Sequence, residues 1–150
     1  MASHRVWDEV HVEVPAIASV ASNGAAARLG QIGPFGRDGR IKSVYWTPTG
    51  ADQGANAASY RQIKVYNGGT AGTSTATANI LASFNFSASA ASLKPVAGTV
   101  VYPASGTAAS AGTFASGEIL YYSQNTIGGD DATGTVLRAG QLKVIVEFVG

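Results

Sequence analysis

The chain has 150 residues, a length suited to one domain, and its 10 Lys and Arg against 9 Asp and Glu leave a formal charge of +1. That balance excludes a strong field for nucleic acid or an anionic membrane as the main mode of binding, and the absence of cysteine excludes a disulfide framework, a thiol nucleophile and thiolate metal sites together. Charged residues make up only 13% against about 25% in typical soluble domains, and the Gly, Ala, Ser and Thr that replace them suit a flat surface packed on another protein, where few charges must be stripped of water.

The start of the chain, Met1 to Val14, carries Asp8, Glu9 and Glu13 with no unbroken apolar run, so it reads neither as a secretory signal nor as a transmembrane helix. A cytoplasmic origin is expected. Val10, Val12 and Val14 alternate with His11 and Glu13, the period of a half-buried strand, which Pro15 ends or bulges. Residues 1–15 are therefore either an arm that docks on a neighbour, led by Val6 and Trp7, or the first strand of the domain formed by residues 16–150.

Ile17 to Val20 and Ala26 to Ile32 read as strands joined at Asn23-Gly24, a dipeptide that supplies the positive φ of a type I′ hairpin. Gly30, Gly33, Gly36 and Gly39 recur every third residue, too short a run for collagen, and predict a loop with unusual backbone angles. Ile41 to Thr47 is strand-like and stops at Pro48. After a loop, Tyr60 to Asn67 alternates, with Ile63 and Val65 on one face and Gln62, Lys64 and Tyr66 on the other; Asn67-Gly68-Gly69 is a turn.

From Ala76 to Phe86, the residues Ala78, Ile80, Ala82, Phe84 and Phe86 share one face of a strand. Thr99 to Tyr102 is a brief strand and Ala104 to Ala111 a surface loop. Glu118 to Asn125 and Gln141 to Val149 complete the set, the last apolar on both faces and so central in its sheet. About eight strands and no helical periodicity predict an all-β fold, an antiparallel β-sandwich of the jelly-roll kind, with loops at residues 48–59, 103–113 and 126–135 projecting from it.

Chemistry is sparse along this chain. His4 reads as a solvated residue and His11 as an outward-facing strand residue, and neither has a Ser or Asp at triad spacing. Asp130-Asp131 after Gly128-Gly129 lacks the ligand alternation of a calcium loop and reads as a turn. Nothing pairs Glu118 or Asp52 with a second carboxylate for glycoside hydrolysis, and the glycines lack the Lys-Ser/Thr ending of a phosphate loop. No catalytic, cofactor or metal residues are assigned, and an enzyme is not expected. Arg37, Arg40 and Lys42, between Phe35 and Tyr45, form the one basic cluster; it reads as a solvated hairpin or a contact to an acidic patch on a neighbouring subunit, in preference to a single-strand nucleic-acid site. Trp46, Tyr60, Tyr66 and Tyr121 or Tyr122 would stack on sugars if they lay together on the surface.

Taken as a whole, the chain resembles the small head decoration, or cement, proteins of bacteriophage capsids. The resemblance is carried by GRIKSVYWTPTGADQGANAASYRQIKVYNGGTAGTSTATANILASFNF, by FASGEILYYSQN and by GTVLRAGQLKVIVEFVG, with the matching positions at Ile63 to Gly69, Ser116 to Leu120 and Ala139 to Phe148. It implies a homotrimer at threefold and quasi-threefold positions on the capsid exterior, assembled in the host bacterial cytoplasm and clamping subunits of the major capsid protein, without cofactor, nucleic acid or membrane. Arg5, Val6, Trp7, Phe35, Arg37 and Arg40 are the expected partner contacts. The alternative is a receptor- or carbohydrate-binding jelly roll of a phage tail or fibre.

Overall fold

A computed structural model of the chain describes residues 6–14, 27–49, 60–73, 79–86, 96–100, 112–127 and 139–148. Within them lie ten strands: β1 (Val6–Val14), β2 (Ala27–Gln31), β3 (Gly39–Pro48), β4 (Tyr60–Asn67), β5 (Ile80–Asn85), β6 (Val96–Ala97), β7 (Thr99–Val100), β8 (Thr113–Phe114), β9 (Leu120–Ile127) and β10 (Gly140–Phe148). They form two five-stranded antiparallel sheets, one ordered β1-β10-β3-β6 with β8 also on β3, the other β2-β9-β4-β5-β7. The fold is an all-β sandwich. It holds more strands than the eight or so expected because β6 and β8 are two-residue pieces too short to show a period, whereas β7 falls within the brief strand expected at Thr99 to Tyr102.

The core forms where the inward residues of the two sheets meet. β10 brings Leu142, Val144 and Val146 to it, β3 brings Ile41, Val44 and Trp46, and β4 brings Ile63 and Val65. Fully burying one such side chain stabilises the fold by about 1.5–3 kcal/mol. Trp46 is fully buried, its ring centroid 6.2 Å from that of Phe86, the residue after β5. β10 lies between β1 and β3, the central position its two apolar faces predict. In β5 Leu81 is buried as well as Ala82 and Phe84, and the register between β4 and β5 shifts at Val65/Tyr66, so strict alternation does not hold through that strand.

The chain crosses from one sheet to the other at Gly98. β6 pairs with β3 and β7 with β5, while the Gly98 N–H donates to the Val44 carbonyl at 2.9 Å. A Cβ on Gly98 would stand 2.6 Å from the Phe84 ring and 2.8 Å from Val44, so the crossing needs a residue without one.

One sequence expectation is corrected here. None of Gly30, Gly33, Gly36 and Gly39 has a positive φ; the positive-φ glycines of the described residues are Gly69, Gly72, Gly112 and Gly117. Gly30 and Gly39 serve instead where strands and rings come close, their added Cβ atoms meeting the Tyr122 ring at 2.8 Å and the Phe114 ring at 2.7 Å. The Ala26 to Ile32 segment contains β2, which pairs with β9; its expected hairpin partner, Ile17 to Val20, and the Asn23-Gly24 turn lie outside the described residues. The Asn67-Gly68-Gly69 turn is present, with Gly69 at φ +69° and its N–H donating to Asn67 Oδ1 at 2.8 Å.

Candidate functional site

Val6–Val14 lies along β10 as a strand, in register from Val6 opposite Phe148 to Val14 opposite Gly140. The even-numbered valines Val10 and Val12 lean on the core, and the odd-numbered residues join a polar face. There His11 Nδ1 lies 3.1 Å from Gln141 Oε1, Gln141 Nε2 donates to Glu13 Oε1 at 2.9 Å, and Lys143 Nζ is 4.0 Å from Glu9 and 4.9 Å from the Tyr45 ring centroid. This face of the first sheet is charged and cross-linked by hydrogen bonds. It is therefore not the flat surface of small neutral residues that composition suggests; the Ala/Ser/Gly stretch at 104–111 lies outside the described residues.

A β-bulge shapes the end of this face. Ile145 pairs with Ser43 and Val146 with Ile41, leaving Lys42 unopposed, and a bulge re-aims the extra side chain. Lys42 Nζ sits 4.5 Å from the centroid of the Trp7 ring, a cation–π distance worth about 0.5–1 kcal/mol at an exposed site. The sequence carries a signal for it, since the buried apolar residues step by three from Ile41 to Val44 and then by two to Trp46.

Beside this pair, Val6, Trp7, Asp8, Gly36, Arg37 and Phe148 line an open hollow of about 540 Å³. Val6 and Trp7, 45% and 49% exposed, are the large apolar side chains left in water among the described residues. Beneath lies an aromatic cluster in which Phe35 stands 5.1 Å from Phe114 and 5.5 Å from Phe148, ring centroid to ring centroid.

The six expected contact residues thus divide. Val6, Trp7 and Arg37 come together at the hollow. Phe35 is half-buried in the cluster below, and Arg40 Nε donates to the buried Glu147 at 2.5 Å. Arg5 lies outside the described residues. Asp8 and Gly36, chain neighbours of Trp7 and Arg37, and Phe148, opposite Val6 on β10, complete the lining; of these only Phe148 comes from a strand remote in the chain.

A second hollow, of about 470 Å³, is lined by Asp38, Asn67, Asn79, Thr113 and Glu118 among others. Its acids are engaged within the chain: Glu118 Oε2 accepts from Asn67 Nδ2 at 2.6 Å and from the Ala115 N–H at 2.7 Å, and Asp38 Oδ1 accepts from the Ser116 N–H at 2.7 Å. These bonds fix the turn at 115–118. Among the described residues no three His, Asp or Glu side chains gather as a metal site; His4, Asp52, Asp130 and Asp131 lie outside them.

The rings proposed to stack on sugars are not on the surface. Trp46, Tyr66, Tyr121 and Tyr122 are each no more than 4% exposed, and Tyr66 stacks on Tyr121 with centroids 5.3 Å apart; the Tyr60 side chain is outside the described set. Burial raises the pKa of both Tyr66 and Tyr122 above the ordinary 10.0, since ionisation would leave a phenolate away from water.

Compared with protein-family models, with curated proteins and with solved structures, the chain finds no match.

Proposed function

We propose that this chain is a structural protein of a bacteriophage particle, a decoration protein that binds the outer surface of the capsid and stabilises it. The observation that carries the reading is the hollow rimmed by Val6, Trp7 and Arg37. Exposed apolar side chains beside a guanidinium are the usual anchors of a protein contact, and the surrounding face is satisfied by its own hydrogen bonds. The partner is the major capsid protein, and the form is a homotrimer at threefold positions, as the sequence resemblance implies. Many symmetric copies would sum a modest contact into a large collective effect.

The finer fold belongs to the same proposal. Strand order supports a jelly roll: β1 to β4 alternate between the sheets, and the last strand returns beside the first while β9 returns beside β2, the wrapping of paired Greek keys.

The test is co-sedimentation with expanded capsids that lack the protein. Saturable binding, weakened at least tenfold by Trp7→Ala or Arg37→Ala in chains that melt like the parent, is the expected result. Absence of binding overturns the proposal, and glycan binding that depends on Trp7 would replace it with the receptor-binding reading.

A further inference from the structure

β1 is an edge strand: among the described residues it pairs with β10 alone. It is nine residues long, six of them exposed, and its register with β10 runs without a shift, whereas the β10–β3, β2–β9 and β4–β5 pairings each carry one. A long unbulged edge offers a row of unpaired N–H and C=O groups to another strand. The described part of β1 has no proline and no lysine to blunt it.

We propose that the occupant is β1 of a second copy, paired antiparallel about a twofold axis through Val10, so that the first sheets of two sandwiches become continuous. The charge pattern selects that register. With the axis perpendicular to the sheet, each residue faces one whose number has the same parity. Centring on Val10 pairs the whole strand: Val6 with Val14, Trp7 with Glu13, Asp8 with Val12, and Glu9 with His11. No like charges are opposed, and Glu9 meets His11 on both sides of the axis.

The neighbouring registers fail this test. Centring on Asp8 or Glu9 sets that acid against its own copy, and centring on His11 sets Glu9 against Glu13; like charges directly opposed destabilise a sheet. Centring on Val12 avoids them but pairs only residues 10–14. Asp8, set against Val12, borders the open hollow it shares with Arg37, where its carboxylate keeps access to water. The contact does not rest on the capsid reading, because the free edge and the charge pattern of β1 carry it without that reading.

The chain has no cysteine, so single cysteines report the register directly. Val10→Cys would set two thiols on the axis with Cα atoms about 4.5–5.5 Å apart, within the disulfide range of about 4.4–6.8 Å. Under mild oxidation Val10→Cys should link most chains as dimers, Val6→Cys and Val14→Cys should link only when mixed, and Thr113→Cys, an exposed control, should not. His11→Glu, which opposes Glu9 with another acid, should weaken self-association at least tenfold by sedimentation equilibrium, and His11→Lys should preserve it. Linking of Val10→Cys no faster than the control, or self-association equal in His11→Glu and the parent, overturns the twofold contact. A trimer unaffected by these substitutions that still binds capsids would overturn it and leave the capsid reading standing.

Discussion

Arg40 and Glu147 face each other across β3 and β10, and the Arg40 Nε–Glu147 Oε2 bond of 2.5 Å spans a steep gradient of exposure, with 38% of the arginine side chain in water and 3% of the glutamate. Glu147 is the only charged residue buried among those described. Its carboxylate lost water on folding, and the guanidinium returns part of that solvation as a charge-assisted hydrogen bond.

Arg40→Ala should therefore destabilise the fold by about 1–3 kcal/mol, the cost of leaving a buried acceptor without this donor. Adding Glu147→Gln should recover part of the loss, because a neutral amide is cheaper to bury than a carboxylate. Urea unfolding of the two single variants and the double variant measures the coupling; equal midpoints for Arg40→Ala and the parent would contradict the assignment.

Gly39 and Gly36 sit in the same segment and should respond oppositely to alanine. A Cβ at Gly39 would meet the Glu147 carbonyl oxygen at 2.9 Å and the Phe114 ring at 2.7 Å, while one at Gly36 meets nothing within 4 Å. Backbone cannot yield as a flexible side chain does, so Gly39→Ala should cost about 1–3 kcal/mol and Gly36→Ala should stay within about 0.5 kcal/mol of the parent. Thermal melts of both variants decide it.

The two tryptophans should separate spectroscopically. Trp7 is 49% exposed and Trp46 fully buried, so Trp7→Phe should leave blue-shifted emission resistant to acrylamide, and Trp46→Phe, if folded, should leave red-shifted, quenchable emission. Quenching that does not distinguish the variants would place Trp7 under cover and remove it as a contact residue.

Alkali should unfold this protein early. Burial raises Tyr66 and Tyr122 above 10.0, so the folded state holds two protons that the unfolded chain releases first. The stability they contribute is complete below about pH 10, the unfolded tyrosine value, and is lost as pH rises through the folded values. Unfolding free energy measured from pH 8 to 11 should fall more steeply in the parent than in Tyr66→Phe or Tyr122→Phe; parallel curves would refute the linkage.

The Ile63/Val65 alternation and the two-faced apolar run of β10 made the strands legible because a period of two needs no tertiary information. The turn at Asn67 was equally readable, since its side-chain oxygen accepts from the N–H two residues on, at Gly69. The hollow was only half legible. Val6, Trp7 and Arg37 were named from sequence, but their meeting depends on the β1–β10 register, which brings Val6 beside Phe148, and on where the 32–38 segment runs.

What the sequence determined by itself is the all-β class, the main strands and the low content of charged residues, because period, turn residues and composition are local properties. Only the tertiary structure decided which aromatic rings are core and which are surface. Trp7 and Trp46 both stand in strands, yet one lies at the far end of an edge strand and the other between two sheets. Burial depends on the layers above and below a residue, and those are set by strands remote from it in the chain.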